Sequence, residues 1–200
     1  MAIEVGIKEL KSIAESSRVA LWGKANSVGR EPRLILHWSA GYYNTIFPDY
    51  HINITGDGDI FLTTDDLSET LNHTWQANTG NVGISLCCAY DANTDDLGDY
   101  APTQAQIEIM AQVIAAIADG LWLTIDKDHV QTHGEIGDDT SVYDDEDLYG
   151  PQNGCERWDL QYLGTDESPE YTSDHSDPST GGNVLRGKAN WYKNKWANEA

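Results

Sequence analysis

Apolar residues Ile7, Leu10, Ile13, Ala14 and Val19 recur near a period of 3.6, so residues 4–21 are predicted to form an amphipathic helix. A loop carrying Gly23, Gly29 and Pro32 follows. Residues 33–38 (RLILHW) form a short apolar run that reads as a strand and ends in a histidine. Residues 50–55 (YHINIT) alternate like a strand, and Gly56-Asp57-Gly58 turns the chain into 59–62, which predicts a hairpin. Residues 82–89 (VGISLCCA) read as a buried strand. Thr103 is a candidate cap for a helix over 104–119, with Ile107, Met110, Ala111, Ile114 and Ile117 on one face and Gly120 as its stop. Residues 129–133 form another short strand ending in histidine. An acidic, glycine-rich loop spans 134–156, a long polar loop spans 165–182, and a last helix covers 184–196. The order helix, strands, helix, strand, helix predicts an α/β domain with a single mixed β-sheet flanked by helices. One domain is expected over 1–164, with 165–200 as a polar loop and C-terminal helix packed on the same domain.

Composition narrows the function. The 200 residues carry 12 Lys plus Arg against 33 Asp plus Glu, a net charge of −21. Such a chain lacks the clustered cations that nucleic acid or an anionic membrane requires. Its acidity reads most simply as solubility. Seven Trp and ten Tyr against two Phe favour aromatics with a polar edge, which suit wet grooves as well as cores. Cys87, Cys88 and Cys155 are odd in number and show no framework spacing, so the fold is not built on disulfides. The charged stretch 1–18 has no uncharged apolar segment of the kind a secretory leader needs. No apolar run approaches the roughly 18 residues of a membrane span. The expectation is a protein made in the cytoplasm that acts on its target after release, as a monomer.

The chemistry lies with the histidines. His37 and His133 end predicted strands, where α/β sheets place their sites. Neutral imidazole is the commonest zinc ligand, and a catalytic zinc keeps three protein ligands and one open position. Asp159, Cys155, Glu135 and the acidic run 144–147 are all candidates for the third ligand, and spacing does not choose among them.

Six stretches in order carry a resemblance: LILHWSAG (34–41), YHINITGDGDIF (50–61), NHTWQANTGNVGISL (72–86), PTQAQ (102–106), THGEIG (132–137) and RWDL (157–160). Together they resemble the type 2 N-acetylmuramoyl-L-alanine amidases, the family that includes peptidoglycan recognition proteins and phage amidase endolysins. The resemblance implies zinc-dependent cleavage of the amide between N-acetylmuramic acid and L-alanine, with peptidoglycan as partner and Zn2+ as cofactor. It implies His37 and His133 as zinc ligands, and Asp159 as the third, two residues after the basic Arg157; Cys155 is the alternative. Tyr50 matches the catalytic Tyr that precedes a His in phage members. Other members use a Glu near the strand corresponding to VGISL; here that region holds Ser85, Cys87 and Cys88, so Glu135 is the alternative acid or base. Arg157 stands where relatives carry Lys, which favours charge stabilisation over proton donation. His73, Trp38 and Trp75 are expected to contact substrate, with a core role as the competing reading for Trp38 and support of a metal ligand or a structural hydrogen bond as the competing readings for His73. His51 and His129 are read as structural and His175 as solvated. A recognition domain without catalysis, a recycling amidase or an amidase toxin are the competing functions; retention of all three ligands counts against the first.

Overall fold

The computed structural model describes residues 2–139 and 158–199. Its single sheet has six strands in the order β1-β4-β3-β5-β2-β6: β1 Ile3–Glu4, β2 Arg33–Trp38, β3 Ile52–Ile54, β4 Ile60–Leu62, β5 Asn81–Leu86 and β6 Val130–Thr132. β2 runs parallel to both β5 and β6, and β3 is parallel to β5. β4 is antiparallel to β3 and to β1, so the sheet is mixed as expected. The Gly56-Asp57-Gly58 turn is the expected hairpin, with Thr55 N–H donating to Asp59 O at 2.9 Å.

Among the described residues four α-helices, α1 Ile7–Ser27, α2 Gln104–Leu121, α3 His133–Gly137 and α4 Gly181–Glu199, and a 3-10 turn over Gly98–Tyr100 accompany the sheet. α1 differs from the sequence expectation at both ends. Residues 3–4 are too short to show a period and are taken up as an edge strand. At the other end the buried stripe Leu10, Ala14, Ser17, Leu21, Ala25 runs past Gly23, so packing carries the helix through a residue that costs about 1 kcal/mol of helix propensity. α2 is held at its start by a reciprocal capping box between Thr103 and Gln106. Gly120 does not stop it. A Cβ there would sit 2.7 Å from Ala14 Cβ and 2.8 Å from Lys11 O, so this glycine serves close approach of α1 and α2. Trp122 takes the left-handed capping conformation instead, at φ 62°.

The strand register divides side chains between two faces. Leu34, Leu36 and Trp38 of β2, with Val82, Ile84 and Leu86 of β5, join the main core with residues of α1, α2 and α4. Arg33, Ile35 and His37, paired with Asn81, Gly83 and Ser85, turn to the other face. There Ile35 packs with Ala77 and Ile136, so the loop after residue 71 and α3 cover that side. Cys87 and Cys88 are both buried free thiols. Among the described residues no helix is long and apolar enough to cross a membrane.

Candidate metal centre

The polar face of the sheet gathers the histidines. His37 ends β2 and is fully buried. His133 follows β6 directly and opens α3. Asp159 lies in the turn before Leu160, which holds φ 59°. Asp159 Oδ2 is 3.2 Å from His37 Nδ1 and 3.4 Å from His133 Nδ1. One ligand atom from each of the three residues lies within 4.8 Å of the others, and among the described residues this is the group of three or more His, Cys, Asp or Glu side chains able to hold a metal ion.

Electrostatics readies the donors. Burial pushes His37 down to about 4, against the pull of its bond to Asp159, so the imidazole is neutral near pH 7. Burial acts to raise Asp159, but its bonds to His133 and His37 outweigh that and hold it at about 2. Two imidazole nitrogens and an ionised carboxylate converging on one point match the donor set of a catalytic zinc, with one position left over. Among the described residues His133 Nε2 is buried without a hydrogen-bond partner, and Nδ1 is the ring nitrogen in contact with Asp159.

A further ring orients His37. His37 Nε2 lies 3.2 Å from His73 Nδ1 and 3.4 Å from Thr74 Oγ1. Outer partners of this kind fix the tautomer and ring plane of a metal ligand. The sequence left substrate contact, support of a metal ligand and a structural hydrogen bond open for His73; its contact with His37 is of the supporting kind. Gly83 makes the arrangement possible, because a Cβ there would lie 2.6 Å from the His73 ring.

Tyr50 stacks obliquely beside His37, with ring centroids 5.0 Å apart. Burial, and then the Asp159 charge, raise its pKa well above the ordinary value, while a hydrogen bond with Ser85 opposes them. Its hydroxyl therefore remains protonated. His51 is structural, as expected: its Nε2 lies 2.9 Å from Glu69 O and its Nδ1 accepts the Gly83 N–H at 3.0 Å. It does not face away from the site, however. Its ring is 5.7 Å from His73, because Ile52 enters the core and alternation turns His51 to the polar face, where its backbone N–H donates to Gly83 O at 3.0 Å and its carbonyl accepts the Thr63 N–H at 3.1 Å.

The other expected site residues separate. Trp75 is 49% exposed and lines, with His73, Thr74, Gln76 and His133, a cavity of about 710 Å³ beside the centre. Trp38 is a correction: it is 5% exposed, sits on the core face against Trp158 and has no open ring face for a ligand. Glu135 is paired with Arg186 in two bonds of 2.7 Å. Burial acts to raise its pKa, but Arg186 and the Thr132 N–H win, and the net shift is downward. His129 pairs with Glu31 and Asp126, and His175 with Asp138, each at 2.8 Å, so His175 is held rather than merely solvated. Arg157, Cys155 and the 144–147 run lie outside the described residues.

Comparison with known families supplies the assignment. The model for N-acetylmuramoyl-L-alanine amidase matches residues 24–147, well over half of the chain. The chain belongs to this amidase family. The matched span includes His37, Tyr50, His73 and His133 and stops short of Asp159. No curated protein and no solved structure gives a match. Peptidoglycan amidase activity is the function of the family, and the sheet, its helices and the His-His-Asp group are consistent with it.

Proposed function

We propose that this protein uses a zinc ion to hydrolyse the amide bond between N-acetylmuramic acid and L-alanine, and that it serves as a phage or prophage endolysin. The single observation that carries the zinc reading is the convergence of one ligand atom each from His37, His133 and Asp159 within 4.8 Å of one another. The lytic role rests on the Tyr50-His51 pair, which is similar to that of phage members.

His37, His133 and Asp159 would hold the ion. The chemistry zinc supplies when bound is that of a Lewis acid, which polarises a carbonyl and brings the pKa of water down to about 7. The protein's residues do the rest. His73 and Thr74 keep the His37 ring in the plane its Nδ1 needs. As the substrate carbonyl oxygen gains charge, Tyr50, which is protonated at Oη near neutral pH, would pass that proton to the leaving nitrogen of L-alanine and recover one from the attacking water; general acid catalysis of this kind contributes about 10²- to 10⁴-fold. Arg157, two residues before Asp159, adds positive charge to the same oxygen. Glu135, ion-paired to Arg186, is a weaker candidate for proton transfer than Tyr50. The cavity lined by Trp75 and His73 takes the muramyl peptide.

The test is direct. Purified peptidoglycan is incubated with zinc-loaded protein, and newly freed L-alanine amino groups and muramyl glycan are measured. Release that stops on chelation and returns with zinc is the expected result. Binding to the wall without release would replace this reading with a recognition domain. Lysis of whole cells only from within, when a membrane pore is co-expressed, checks the endolysin role.

A further inference from the structure

Two of the three proposed ligands are seated on the first turns of α4, which lies beyond the residues matched by the amidase family. The first is His133. It opens α3, a helix of five residues, too short to hold itself. α3 is fixed by a capping box: Thr132 Oγ1 accepts the Glu135 N–H, and Glu135 Oε2 accepts the Thr132 N–H at 2.8 Å. Glu135 is in turn gripped by Arg186, whose Nη1 and Nη2 each donate to one carboxylate oxygen at 2.7 Å. Arg186 Nη1 also donates to Val130 O at 2.8 Å, so one guanidinium ties β6 and α3 together on both sides of the His133 junction. Both partners are only 6% exposed.

The second is Asp159. A Cβ on Gly181 would lie 2.0 Å from Leu160 O, so the backbone next to Asp159 rests directly on the start of α4. A Cβ on Gly182 would lie 2.8 Å from Glu135 Oε2. The two glycines are thus the clearance that lets one helix end touch both ligand-bearing segments.

We propose that Arg186 is a positioning residue for the metal centre, acting through Glu135 to hold the His133 ring in its binding orientation, and that α4 belongs to the catalytic machinery rather than to a separate tail. This inference rests on the zinc reading above. The Arg–carboxylate fork supplies direction as well as charge, which an ammonium does not reproduce.

The experiment measures zinc affinity by chelator competition, and the visible absorption of the cobalt-substituted protein, for the full chain. The variants are Arg186→Lys, which keeps a cation beside the buried carboxylate, and the double variant Glu135→Leu/Arg186→Met, which replaces the pair with apolar groups and orphans no charge. Circular dichroism verifies that each is folded. Zinc affinity is expected to fall about 10- to 100-fold in both, with an altered cobalt spectrum. Folded variants with wild-type affinity and an unchanged spectrum would overturn the inference while leaving the zinc centre intact. Wild-type protein that binds neither zinc nor cobalt would overturn the zinc reading itself, and this inference with it.

Discussion

The two faces of the central sheet are made by the same strands and behave as different materials. On β2, Leu34, Leu36 and Trp38 enter an apolar core, while Ile35 and His37 turn to a face that also presents Ser85, Gly83 and, from the covering loop, His73. The core face tolerates replacement by volume and apolarity, because burial there is non-directional. The opposite face depends on individual atoms: His37 needs Asp159 on one nitrogen and His73 on the other. One residue of register separates a structural position from a chemical one.

Substitutions on both faces and a change of pH probe that contrast, starting with the largest effect. Alanine at His37, His133 or Asp159 is expected to strip zinc and reduce amide release to background; metal content by atomic emission and amine release check it. Cys155→Ser should do neither, and loss of metal in that variant with retention in Asp159→Ala would move the third ligand. Tyr50→Phe should lower turnover by about 100-fold or more while zinc stays bound, which separates the proton donor from the ligand shell. His73→Ala should weaken zinc by roughly 10- to 100-fold and leave a folded protein. On the core face, Leu36→Ala should cost about 2 to 5 kcal/mol in denaturant unfolding, with zinc affinity of the folded fraction unchanged. A loss of affinity there would mean that the two faces are coupled.

The smallest effect concerns pH. Burial lowers His51 from 6.5 to about 4. Below pH 6.5 the unfolded chain takes up a proton that folded His51 refuses, so stability is full above 6.5 and falls as pH drops toward 4. The loss reaches roughly 3 kcal/mol from this group. Thermal midpoints of metal-free protein at pH 7.5 and pH 5 measure it, and His51→Gln should reduce the dependence, leaving the part that buried His37 and His73 contribute.

Much of this was legible in the chain. Periodicity marked α2 and α4, the run RLILHW marked β2, and Gly56-Asp57-Gly58 marked the hairpin, because each signal is local and repeats over several residues. His37 and His133 stood out by ending such runs. Other features left no local trace. Gly120 looked like a helix stop and is a helix contact, since its role is set by Ala14 more than a hundred positions away. For Trp38 substrate contact and core competed, and packing decided for the core. Arg186 could have been suspected from one signal: it shares the buried stripe of Gly182, Leu185 and Ala189, where a charge demands a buried partner.

The sequence by itself determined the class of fold, the family and the two histidines that end strands, because these depend on periodicity and on short motifs read in order. Only the tertiary structure decided that Asp159 meets both histidines, that His73 steadies His37 and that α4 underlies the centre. Those relations join segments up to 122 residues apart, and only the folded backbone brings such atoms within hydrogen-bonding distance.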